Sequence, residues 1–195
     1  MKRRGRLIVV ALVAAAVVAL ALLFYKPFPP DRTPEGAYAR IAKAVSEQRP
    51  RDAFDYLEQE AVDACFSIRD QRRAAYDAIE QTYPPGPERE ALLAEYRDEA
   101  KSADAPDVFV LLAERHGWLG RLRKDLSGMK RVEIIGDRAT VTTARGTRYS
   151  FRRRPNGIWG LTLFSAELLA ESQRGARDLD VVRQAAADYA RAKRD

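Results

Sequence analysis

The chain contains one histidine, His116, and one cysteine, Cys65. A single histidine excludes His–His metal sites and the H-E-x-x-H pattern of zinc peptidases. A single cysteine excludes an intramolecular disulfide. No serine stands in a G-x-S-x-G turn, and no glycine-rich phosphate loop is present. Internal repeats are absent as well. The sequence therefore implies no metal and no cofactor. Cys65 lies among Phe54, Leu57, Ala61 and Ile68 at helical spacing. In that setting it reads as a small buried hydrophobe.

An excess of basic charge is also missing from most of the chain. The formal net charge is +6. Lys2, Arg3, Arg4, Arg6 and Lys26, with Asp31 opposing them, supply +4 of it, which leaves residues 32–195 with only +2. So small a surplus is not a nucleic-acid platform. The basic start reads instead as a topology signal.

Directly after that start, Leu7 to Tyr25 runs nineteen residues without a charge or a proline. As a helix this run spans about 28 Å, close to the hydrocarbon thickness of a bilayer. Secretory apolar regions are shorter. Phe24, Tyr25 and Phe28 resemble an aromatic belt at a membrane exit. The expectation is an uncleaved anchor whose ends are Leu7 and Tyr25, with residues 1–6 in the cytoplasm. Ala19-Leu20-Ala21 also offers a cleavage site, so a secreted protein cut after Ala21 is the alternative. No cysteine succeeds the run, which excludes lipoprotein attachment. Composition rich in arginine and alanine fits a bacterium. The location implied is the inner membrane, crossed once, with the remainder outside the cytoplasm. The bilayer is then the first partner.

Residues 26–36, "KPFPPDRTPEG", predict a stiff proline-rich stalk. Residues 37–195 are expected to form one domain. Thr33-Pro34-Glu35 is a helix start, and Tyr38, Ile41 and Val45 make an apolar face. Helical period continues from Phe54 through Ile68 to Tyr83. "YPPGPE" breaks it. Further helices carry Leu92, Leu93 and Tyr96, then Val108 to Leu112, then Leu119 to Leu126. The period then changes to two. Turns at Gly136-Asp137, Arg145-Gly146 and Asn156-Gly157 divide strands at about 130–135, 139–144, 147–153 and 158–163. Ser165 reads as the cap of a long final helix, with Gly175 as a point where it could kink or divide. The fold class expected is α+β: an N-terminal transmembrane helix, several helices on a four-stranded antiparallel meander, and a long C-terminal helix.

The segment "GDRATVTTARGTRYSFRRRPNGIWGLTLF" resembles the closing meander of the nuclear-transport-factor-like superfamily. Gly136-Asp137-Arg138-Ala139 looks like that family's hairpin turn. Asn156-Gly157-Ile158-Trp159 looks like its entry to a late strand. The resemblance implies a cone-shaped domain with a curved sheet around helices. Its members range from enzymes to inert binding modules, so it implies no catalytic residue here.

Three groups of residues are candidates for chemistry. His116 could act as a general base with a distant carboxylate, or cap a helix C-terminus before Gly117. Asp178 and Asp180 look paired, but two residues apart on a helix they diverge. On the third strand Tyr149 and Phe151 share one face. Arg148, Arg152 and Arg154 share the other, with Lys130 and Arg131 expected on a neighbouring strand. These five form a candidate anionic-ligand face. The reading that results is a non-enzymatic binding module. Its partner would be another envelope protein, a peptide or a small apolar ligand. The alternative is a small hydrolase or isomerase with an acid/base pair in a cone-shaped pocket.

Overall fold

The computed structural model describes residues 29–193. Helix α1 (Pro34–Ser46) starts as its sequence dictates. Thr33 is the cap, its hydroxyl accepting the Gly36 N–H at 3.1 Å, and Pro34 fills the first turn. A 3-10 helix (Pro50–Tyr56) is next. Then come α2 (Gln59–Thr82), α3 (Pro87–Lys101), α4 (Ala105–Arg115) and α5 (Trp118–Asp125). Strands β1 (Met129–Ile135), β2 (Arg138–Thr143), β3 (Arg148–Arg153) and β4 (Trp159–Leu161) precede α6 (Ser165–Ala192). The fold is α+β, with a four-stranded antiparallel sheet in the order β1-β2-β3-β4.

The register obeys the alternation. Val132, Val141 and Tyr149 form one cross-strand row, and Ala139, Phe151 and Leu161 belong to another. Both rows face the helices. Phe151 and Tyr149 are buried, while Arg148, Ser150 and Arg152 between and beside them are exposed. On the helix side, Tyr38 packs its ring on Tyr149 at 5.6 Å. Trp118 stacks on Phe164 at 5.1 Å, and Phe109 sits between Phe54 and Phe164. These residues belong to one large core over the sheet.

Helices α2 and α6 have 24 and 28 residues, about 36 and 42 Å. Each outruns the sheet core and continues into a second one. There Ala75, Tyr76 and Ile79 of α2 meet Leu93, Tyr96 and Ala100 of α3 and Leu179, Val182 and Ala186 of α6. The second core is thus a three-helix bundle built on the far halves of two helices that begin in the first.

The structure corrects several expectations. Helical period does not run unbroken from Phe54. The chain extends at Leu57 and Glu58, Leu57 bridges Leu161, and the Glu58 N–H donates to the Leu161 carbonyl at 3.2 Å. Gly160 makes this crossing possible, since a Cβ there would collide with the Leu57 and Glu58 backbone. Gly175 does not divide α6, which runs unbroken from Ser165 to Ala192. It is buried, and a Cβ would stand 2.7 Å from Oε1 of Gln71 on α2, the far end of a flexible side chain. Ser165 is not the cap of α6: Phe164 holds that position, and the Ser165 hydroxyl makes no hydrogen bond within the described chain. The expected stalk enters the described residues at Pro29. Its last part is tied down: Thr33 bonds the Pro30 carbonyl, Asp31 pairs with Arg40, and α1 starts at Pro34. Among the described residues no helix is long and apolar enough to cross a membrane. The anchor expected over Leu7–Tyr25 lies outside them.

Candidate functional site

The face of the sheet turned toward the helices is covered by buried side chains. Tyr38, Tyr149, Phe151, Trp118, Leu122 and Phe164 fill it, each no more than 4% exposed. At its margin, α5, the start of β3, the turn at Leu163 and Phe164 and the first turn of α6 line about 190 Å³. Trp118, Tyr149 and Phe164 form the floor, with Arg121, Asp125 and Arg148 at the rim. Ligand pockets usually measure about 300–1,000 Å³, so only a very small apolar group fits here. The Tyr149 hydroxyl is sealed beneath this floor without a hydrogen-bond partner. Burial pushes its pKa up to about 12, with the nearby Tyr38 and Asp125 adding to the effect.

His116 is the C-cap residue of α4, and Gly117 after it is left-handed. That is the capping position its sequence context suggested. The ring stacks on Trp118 at 5.2 Å, and Nε2 lies 3.6 Å from Glu171 Oε1. The side chain is 37% exposed, at the surface. Glu171 is 55 positions away on α6, and no sequence signal links the two. Asp178 does not form a carboxylate pair with Asp180. It accepts from buried Arg72 at 2.6 Å, and that guanidinium lies over the Tyr96 ring at 4.6 Å. Among the described residues no group of three His, Cys, Asp or Glu could hold a metal. Cys65 is wholly buried, and burial pushes its thiol up to about 12.

The five residues of the candidate anionic face are dispersed. Arg148 and Arg152 do project from the outer face of β3. Arg152 pairs with Glu60 at 3.3 Å and Asp137 at 3.7 Å. Arg154 lies beyond the strand. It donates to the Asp55 carbonyl at 2.9 Å, the Leu57 carbonyl at 3.4 Å and Gln59 Oε1 at 3.2 Å. It therefore clamps the junction between the 3-10 helix and α2. Lys130 and Arg131 are not on a strand next to β3, because β2 lies between. Arg131 shares the row of Thr142 and Arg148, two strands and about 10 Å away. It pairs with Glu133 at 2.7 Å. Lys130 is the extra residue of a bulge and has no cross-strand partner. A shallow groove of about 310 Å³ does cross this outer face, between Arg138, Ser150, Arg152 and Glu58. It holds both signs of charge.

Sequence reading missed one further feature, the free edge of the sheet. β1 is a terminal strand, and its residues are mostly exposed. Compared with known proteins, the chain matches no family model, no curated protein and no solved structure.

Proposed function

We propose that this chain is a single-pass, membrane-anchored envelope protein whose extracytoplasmic domain is a non-enzymatic interaction module. The observation that carries the reading is the filled sheet face. A small-molecule enzyme needs a concave site with convergent polar groups, and here aromatic side chains occupy that place. The outer surface mixes charged side chains with exposed apolar ones such as Ile134 and Ile135, a composition that suits a protein partner. The basic start and the apolar run supply the membrane half of the proposal. The likeness of the meander to the nuclear-transport-factor-like superfamily is a proposal of the same rank, supported by the turns at Gly136 and Gly157.

Three measurements test it. A reporter fused after Asp195 that works only outside the cytoplasm should be active, and activity of a cytoplasm-only reporter would reverse the topology. Mass spectrometry of the native protein should recover the N-terminal peptide. A mature chain starting at Leu22 would make it a secreted protein instead. The enzyme alternative rests on the His116–Glu171 pair. His116→Gln should leave any function of the protein nearly intact. A loss of about a hundredfold with the fold preserved would establish acid–base chemistry and end the module reading.

A further inference from the structure

The free edge of the sheet has an internal symmetry that singles out a partner. We propose that two copies of this chain pair antiparallel through β1, about a two-fold axis at Val132, joining two four-stranded sheets into one of eight strands. The proposal is independent of the membrane reading.

β1 is an edge strand that carries exposed apolar side chains beside its charged residues and its bulge. No described backbone group outside β2 bonds to it. Met129, Ile134 and Ile135 are half of the six large apolar side chains exposed among the described residues. Ile134 is the informative one. It shares its cross-strand row with Ala139 and Phe151, both buried, so it points to the helix side of the sheet. It is nevertheless 54% exposed among the described residues. An open edge with uncovered apolar side chains is a template for another strand.

The charges decide which strand. A two-fold axis normal to the sheet keeps each residue on its own face, so only registers centred on one residue are open. Centred on Arg131 or Glu133, like charges oppose each other at the axis, which is destabilising. Centred on Ile134, only Glu133 to Ile135 of each strand can pair before the Gly136 turn. Centred on Val132, Arg131 of each copy faces Glu133 of the other, twice. Each Ile134 then lies diagonal to Val132 of the second copy. Arg131-Val132-Glu133 is thus complementary to itself when reversed. Within one copy Arg131 and Glu133 already sit on one face, 2.7 Å apart. Pairing exchanges those contacts, one in each copy, for two across the interface. The bulge at Lys130 is the device that ends the run.

The test uses the full chain and analytical ultracentrifugation. Wild type should show a concentration-dependent monomer–dimer equilibrium. Arg131→Glu and Glu133→Arg, each alone, should weaken it at least tenfold, since each places like charges opposite one another. The double exchange should restore it. Both side chains are on the exposed face, and urea unfolding of each variant checks that the fold is kept. Register is read separately. Val132→Cys should give a disulfide-linked dimer under mild oxidation, because a residue on the axis faces itself, while Cys65 stays buried and inert. A chain that remains monomeric up to about 100 μM, a weak-affinity ceiling, would overturn the proposal. So would a dimer indifferent to both single reversals, or a Glu133→Cys variant that links faster than Val132→Cys.

Discussion

The sheet core and the three-helix core share two helices but are held by different chemistry. The sheet core has 28 buried apolar residues, and its large members are Trp118, Trp159, Phe54, Phe109, Phe151 and Phe164, joined by Tyr38 and Tyr149. Its stacked rings need no charge. The bundle core has ten, and every aromatic in it is a tyrosine: Tyr76, Tyr83 and Tyr96. Two of those rings face cations. Arg72 lies over Tyr96 at 4.6 Å and Lys101 over Tyr76 at 4.3 Å. Arg72 is 8% exposed and Glu99 4%. Glu99 is met by Arg115 at 2.5 Å, which ties α3 to α4. A small core cannot bury enough apolar area on its own. The bundle therefore adds paired charges to its helices where the sheet core adds rings.

The largest effect should come from emptying the sheet core. Phe151→Ala and Trp118→Ala each remove an aromatic that is 1–2% exposed. Each should cost about 3–5 kcal/mol. Urea unfolding should show the loss as a single transition, because α2 and α6 run through both cores. A second, earlier transition would mean that the cores unfold separately and that the shared helices do not couple them.

Arg72 should give the next largest effect. Arg72→Met leaves Asp178 without its cation and removes the contact with Tyr96, at a cost of about 2–3 kcal/mol. Asp178 is 31% exposed, so water recovers part of its solvation and keeps the figure below that of a fully buried pair. Adding Asp178→Leu should restore much of the stability. If the double variant is no better than the single one, the bundle depends on the cation–ring contact more than on the ion pair.

Much of the sheet core was readable in the sequence. The three glycine turns and the alternation around Tyr149 and Phe151 place every strand within about two residues of its observed bounds. That information is local: a glycine next to a polar residue sets a turn, and period two sets a face. The bundle was less readable. Its helices were evident, but Arg72 pairs with Asp178 across 106 positions, and no periodicity encodes that partner. Arg72 stands in the polar stretch "RDQRR", and nothing local marks it as buried. Gly175 was ambiguous for a similar reason, since its role depends on Gln71 of another helix. The break at Leu57 was invisible because its cause, the edge of β4, lies about a hundred residues away.

Between the cores and the surface, the arginines of the outer face should separate into two kinds. Arg154→Ala frees the Asp55 and Leu57 carbonyls and should cost about 1–2 kcal/mol, in line with charge-assisted hydrogen bonds that are partly solvated. Arg148→Ala should fall within about 0.5 kcal/mol of wild type, as expected for an exposed side chain. Equal losses at the two positions would mean that Arg154 is not a clamp.

The smallest effects should distinguish two tyrosines that touch. Tyr38 donates to the Ser127 carbonyl at 2.6 Å and accepts the Ser127 N–H at 3.2 Å. Its ring packs on Tyr149, whose hydroxyl has no partner. Removing a hydroxyl therefore has opposite consequences at the two sites. Tyr38→Phe leaves two backbone groups unpaired and should cost about 1 kcal/mol, whereas Tyr149→Phe removes an unsatisfied buried group and should stabilise by a similar amount. A pH titration sharpens the second case. In the fold, burial pushes Tyr149 up to about 12, above the ordinary value of 10.0. The hydroxyl of the unfolded chain begins to ionise first, and its ionisation draws the equilibrium away from the fold. The contribution of Tyr149 is thus complete below about pH 10 and declines as pH rises toward 12. Tyr149→Phe lacks that group, so its stability should fall less steeply than wild type over this interval. If Tyr149→Phe instead destabilises the protein and leaves the alkaline slope unchanged, then the hydroxyl is hydrogen-bonded in solution and the sheet core holds a polar contact of the kind seen at Tyr38.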